Sequence, residues 1–178
     1  MNRQLACYII ILAGITACAA PKVGYDYDSA VDFSAYRTYA WLPVDQEITG
    51  DQRVDNALVD RRIRTAVEAR LRSQGYTTPV NGKPDFYVAY RVAVKDRMRG
   101  SSTQRYIGDF AYGTHTTITD IQPYNEGDLV VDVVDASSKQ LVWRSYAQGE
   151  VSPGMTPDER DKRINQVVDA MFSHFPPK

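Results

Sequence analysis

Cysteine is nearly absent from this chain: its 178 residues include only Cys7 and Cys18. That excludes a disulfide framework, and beyond Cys18 it leaves no thiol nucleophile. Histidine is equally scarce. His115 and His174 stand far apart and H-E-x-x-H does not occur, so no metal site is expected. There is no G-x-S-x-G elbow and no Walker loop, and Gly100, Gly108 and Gly113 lack the G-x-G-x-x-G spacing. The sequence therefore points to no cofactor and no catalytic residue. Charge of one sign is also missing. Lys plus Arg total 21 against 22 Asp plus Glu, which argues against a nucleic-acid partner. Finally, no apolar run reaches the ~20 residues that span a bilayer.

What is present begins at the N-terminus. Arg3 precedes an apolar run from Leu5 to Ile15, and Ile15-Thr16-Ala17-Cys18 follows where polarity returns. This pattern reads as a lipoprotein signal. Residues 1–17 are expected to be removed between Ala17 and Cys18, leaving Cys18 as the lipid attachment site. Residues 18–22 would form the lipidated tether, and residues 23–178 a single domain. A protein carrying two or more acyl chains stays on its membrane, since each buried methylene contributes about 0.8 kcal/mol. Ala19, rather than aspartate, follows the cysteine, so the expected location is the outer membrane, facing the periplasm. Loss of Arg3 moves the formal charge from −1 to −2.

The rest of the chain alternates between two periods. Val23, Tyr25 and Tyr27 suit a first strand, and Arg37 to Leu42 a second that stops at Pro43. Asp55 or Asn56 can cap a helix over about 57–73. Its apolar stripe is Val59, Ile63, Ala66, Val67 and Leu71, with Asp60, Arg61, Arg64 and Glu68 facing away and Gly75 as C-terminal cap. A third strand follows Pro84, with Phe86, Val88, Tyr90, Val92 and Val94 on one face. A fourth runs from Asp128 to Asp135, and a fifth from Gln140 to Gly149 with Leu141, Trp143, Ser145 and Ala147 on one face. Thr156-Pro157-Asp158-Glu159 has an N-cap, a proline at the first helical position and a capping-box glutamate. It opens a second helix whose apolar face includes Ile164, Val168, Met171 and Phe172. The expected architecture is α+β: a two-layer sandwich in which a mostly antiparallel sheet of four to five strands carries two helices on one face, in the order β-β-α-β-β-β-α. Residues 96–126 fit no period. They read as an irregular loop, or else as extensions of the third and fourth strands into a hairpin.

Four blocks together carry a family resemblance. They are Asp32-Phe33-Ser34 with Tyr36-Arg37-Thr38-Tyr39-Ala40-Trp41, then Pro84-Asp85-Phe86, then Glu126-Gly127-Asp128-Leu129-Val130-Val131-Asp132, and finally Leu141-Val142-Trp143-Arg144. In this order they resemble the bacterial lipoproteins of domain of unknown function 4136. The resemblance implies one domain, often lipidated, with no established activity.

Functional expectations follow from what remains. Lys95, Arg97, Arg99 and Arg105 against Asp96 give a local +3, a candidate contact for anionic lipid or an acidic envelope partner. Arg97, Arg99, Arg105 and Tyr112 are therefore the candidate binding residues. Asp132 is expected to face solvent or to pair with Arg144 on the neighbouring strand. The sequence reads as a membrane-anchored, non-catalytic scaffold or accessory of the cell envelope. The alternative is a binding module for a lipid, glycan or peptide that uses the open sheet face or the 96–126 segment. Oligomeric state is left open.

Overall fold

The computed structural model describes residues 21–43, 49–107 and 114–177. Both helices begin where their local chemistry predicts. Helix α1 (Ala57–Ser73) starts at Asn56, whose side chain accepts from the Val59 amide, so Asn56 rather than Asp55 is the cap. It ends at Gln74, after which Gly75 adopts φ +91°, a left-handed conformation that glycine enters without steric cost. Helix α2 (Pro157–Phe172) starts in a complete capping box: Thr156 accepts from the Glu159 amide while Glu159 accepts from the Thr156 amide.

Five strands form one sheet in the spatial order β1-β5-β4-β3-β2. They are β1 (Lys22–Tyr27), β2 (Tyr39–Trp41), β3 (Phe86–Ile107), β4 (Thr114–Asp135) and β5 (Leu141–Glu150). All neighbours are antiparallel except β2 with β3, since the chain passes through α1 between those two strands. The element order is therefore β-β-α-β-β-β-α, with both helices packed on one face.

The core gathers where that face is bulkiest. Phe86, Val88, Val131, Val133 and Trp143 from the sheet meet Ile63, Val67 and Leu71 from α1 and Val168, Met171 and Phe172 from α2. Phe175, just past α2, wedges between layers, its ring centroid 5.1 Å from Trp143 and 5.7 Å from Phe86. Gln74 holds it there by donating from Nε2 to the carbonyls of Phe172 and Phe175 at 3.0 and 2.6 Å. Fully burying each such large side chain stabilises by about 1.5–3 kcal/mol.

Four expectations are corrected. Of the two readings of residues 96–126, the irregular loop fails and the hairpin extension of the third and fourth strands holds. β3 and β4 pair in unbroken register from Phe86↔Asp135 to Ile107↔Thr114, a ribbon that runs well past the last β4–β5 pair, Glu126↔Glu150. It escaped periodicity because neither of its faces is buried, so nothing selects an apolar alternation. Leu141 does not share the buried face of β5. The register slips between Val133 and Val134, so Val142 becomes an extra residue that turns into the core while Leu141 is left 45% exposed. The second strand is shorter than expected, Tyr39–Trp41 instead of 37–42. Asp60 and Arg64 do not face away from α1 into solvent. Tyr90 Oη and Arg64 Nε both donate to Asp60 at 2.7 Å, and the Arg64 guanidinium lies 4.5 Å from the Trp41 ring centroid. Burial pushes the Asp60 carboxyl up, but these two donors outweigh it and hold it below its ordinary value.

Candidate ligand-binding cleft

Along the helix-facing side of β5 the side chains shrink step by step: Trp143, Ser145, Ala147, Gly149. On β4 the residues opposite are Val133, Val131, Leu129 and Gly127. Helices lying across such a taper meet bulk at one end and leave space at the other. The space is a cavity of about 350 Å³ between the N-terminal halves of the helices and the sheet. Its apolar surface comes from Val92, Leu129 and Ala147 on the strands, from Val59 and Ile63 on α1, and from Ile164 and Val167 on α2. The size falls at the small end of the ~300–1,000 Å³ typical of ligand pockets.

The paired glycines do more than leave room. A Cβ at Gly127 would stand 2.7 Å from Val151 Cγ2, and one at Gly149 would stand 2.8 Å from Arg163 Nη2. Both glycines thus let later segments lie directly on the backbone of the sheet. Val151 continues this wall, its amide donating to the Asn125 carbonyl at 2.9 Å.

Four arginines, Arg53, Arg62, Arg160 and Arg163, line the cavity as well. Arg53 bonds to Asp51 and Asp96, and these hydrogen bonds hold its proton more tightly than usual. Arg62 Nε donates to Asp161 at 2.6 Å, which ties α1 to α2 across the cavity. Arg160 differs in kind. Its Nε and Nη2 donate to the carbonyls of Met155 and Pro153, each at 3.1 Å, and among the described residues it faces no carboxylate. Asp128 and Glu150 line the cavity too, but each already meets a cation, Lys95 at 2.7 Å and Arg99 at 3.1 Å. An apolar floor with arginines at its rim suits an amphipathic ligand.

The residues expected to bind are not brought to this cleft. Arg97 and Arg99 lie on the opposite face of the ribbon, paired with Glu126 at 2.9 Å and Glu150 at 3.1 Å, and Lys95 meets Asp128 at 2.7 Å. The local +3 is therefore answered by acids from β4 and β5 that sequence proximity does not reveal, so Lys95, Arg97 and Arg99 do not form an unopposed basic patch. Arg105 is exposed farther along the same face. Tyr112, Ala17 and Cys18 lie outside the described residues. Of the two expectations for Asp132, the pairing with Arg144 holds, through two bonds of 2.6 and 2.8 Å, and Arg91 approaches it at 3.5 Å. His174 stacks on Tyr25 with centroids 4.3 Å apart, while His115 lies on β4. The cleft itself escaped the sequence reading. Its one legible signal was the taper in Trp143-x-Ser145-x-Ala147-x-Gly149.

Comparison with known proteins adds family and fold. The family model described as domain of unknown function (DUF4136) matches residues 23–177. No curated protein matches the chain. Among solved structures, a PDZ domain protein from Parabacteroides distasonis superposes with TM-score 0.56 at 15% identity, over 89% of this chain and 37% of that one. The chain thus spans little more than a third of that protein. A PelC dodecamer from Paraburkholderia phytofirmans gives TM-score 0.50 at 8% identity, over 86% of this chain and 95% of that one. At such identities the likeness shows the fold.

Proposed function

The chain belongs to the DUF4136 family, and from that premise, which brings no activity with it, we propose a membrane-tethered binding module of the cell envelope, not an enzyme. In this reading Cys18 carries the lipid and the domain faces the periplasm from the outer membrane. The observation that supports it is a matter of register. Lys22 lies opposite Gln148, and Gln148 and Gly149 line the cleft. Cys18 is four residues before Lys22, a reach of at most about 14 Å, so the tether and the cleft share one end of the sheet. A lipid anchor there would hold the cleft close to the bilayer.

Two measurements test this. Intact mass of the membrane-extracted protein is expected to match residues 18–178 plus acyl chains, and to lose that species in Cys18→Ser. An unlipidated mature mass would remove the tether. A neutral solvatochromic dye such as Nile red is expected to bind saturably, and to lose that binding in Ala147→Leu, which fills the cleft floor. Unchanged dye binding in a folded Ala147→Leu protein would refute the cleft as the binding site.

A second reading, a scaffold that self-associates, rests on the ribbon. Among the described residues, β3 past Val88 and β4 before Glu126 each have one edge without a strand partner. Such edges are templates for pairing with another chain. The PelC neighbour was solved as a dodecamer. Light scattering of the full chain would show a multimer that dissociates when Thr103→Pro breaks the ribbon; a monomer at all concentrations would exclude this reading.

A further inference from the structure

We propose that the cleft takes one long-chain fatty acid, with its tail on the Val92, Leu129 and Ala147 floor and its carboxylate at Arg160. This inference rests on the binding-module reading and names its ligand. Volume selects the tail. With a methylene group about as large as a water molecule's ~30 Å³ share of the liquid, the roughly 350 Å³ cavity holds about a dozen groups, most of one long acyl chain and not two. Charge selects the head. Arg53 and Arg62 already face Asp51, Asp96 and Asp161, whereas Arg160 spends its donors on two neutral carbonyls. A guanidinium at an apolar rim that faces no carboxylate among the described residues favours an anionic oxygen that accepts from two of its N–H groups. The fatty acid supplies that group, whereas the neutral ester linkages of the protein's own lipid anchor would not.

The test uses the full chain reconstituted in nanodiscs and a diazirine-bearing palmitate, with adducts mapped by mass spectrometry. Adducts are expected on cleft residues and absent in Ala147→Leu. Unlabelled palmitate is expected to compete about tenfold or more better than hexadecanol, the scale of one charge-assisted hydrogen-bond pair. Arg160→Gln should erase that preference and Arg160→Lys should restore part of it. Equal competition by palmitate and hexadecanol, with Nile red still bound, would overturn the carboxylate assignment while leaving the binding module intact. Stronger competition by an anionic diacyl phospholipid would overturn the single-chain ligand. Labelling that appears only in Cys18→Ser would give the cleft to the protein's own anchor chain and overturn the proposal. Failure of the parent protein to bind either the dye or palmitate would instead sink the binding-module reading itself.

Discussion

Asp85 illustrates how the residues carrying the family resemblance act. Its Oδ2 accepts from the Arg37 amide at 2.9 Å, the Thr38 amide at 2.8 Å and the Thr38 hydroxyl at 2.9 Å, which clamps the start of β2 to the start of β3. Asp32 accepts from the Ser34 amide, and Tyr36 donates to Asp135 at 2.8 Å. These contacts are scaffold chemistry, whereas the block from Glu126 to Asp132 also supplies Gly127 and Leu129 to the cleft. Backbone donation from Arg37 holds the Asp85 carboxyl below its ordinary value, and donation from the Ser138 amide does the same for Asp135. A depressed folded pKa contributes stability above the ordinary aspartate value of ~3.9, which is lost as pH falls from there through the lower folded value. Urea midpoints should therefore hold between pH 7 and 5 and drop below about pH 4, with a shallower drop in Asp85→Asn. An equally steep drop in that variant would show that other groups control acid unfolding. Asp132 contributes through an ion pair. It is 14% exposed and receives Arg144 through two bonds, so Asp132→Ala should cost about 1–2 kcal/mol in denaturant unfolding.

The elements differ in how much of their stability is local. α2 owes its start to the Thr156 box, so Thr156→Ala should lower stability by about 1 kcal/mol, read from the same unfolding curves. The ribbon is the opposite case. Met98 and Ile121 on it are 79% and 60% exposed, so it adds little burial to the domain. Replacing residues 99–122 with an Asn-Gly turn, which suits a two-residue hairpin, should leave stability within about 1 kcal/mol of the parent. A larger loss would mean that the ribbon supports the fold through contacts beyond its own ladder. The uncovered sheet face also changes meaning at this scale. Arg91, Lys95, Arg97 and Arg99 on β3 face Asp132, Asp128, Glu126 and Glu150 across the strands, a ladder of ion pairs suited to water. The apolar surface that lines a cavity lies instead on the helix side.

At the scale of the whole molecule, one end is packed and the other is open. Phe86, Trp143, Phe172 and Phe175 close the first, while the cleft, the start of β1 and the base of the ribbon share the second. Filling the open end should stabilise the domain if Leu at position 147 finds an allowed rotamer. Ala147→Leu is therefore expected to raise the melting midpoint or leave it unchanged while abolishing dye binding. A fall of several degrees would indicate that the cavity is too shaped to accept it. In the proposed reading a tether at this same end would make the orientation of the cleft a property of the whole chain and not of any one element.

Local chemistry alone determined the helix starts and the order of elements, because caps and periodicity act over a few residues. Length and the N-terminal pattern carried the expectation of a lipidated single domain. Only the tertiary structure decided that Val142 turns inward, that 96–126 is a ribbon and that Lys95, Arg97 and Arg99 meet acids. It also decided that Gly127 and Gly149 lie side by side beneath two helices to make a cavity. Those outcomes depend on strand register and on what packs above each face, and both are set by residues far apart in the chain.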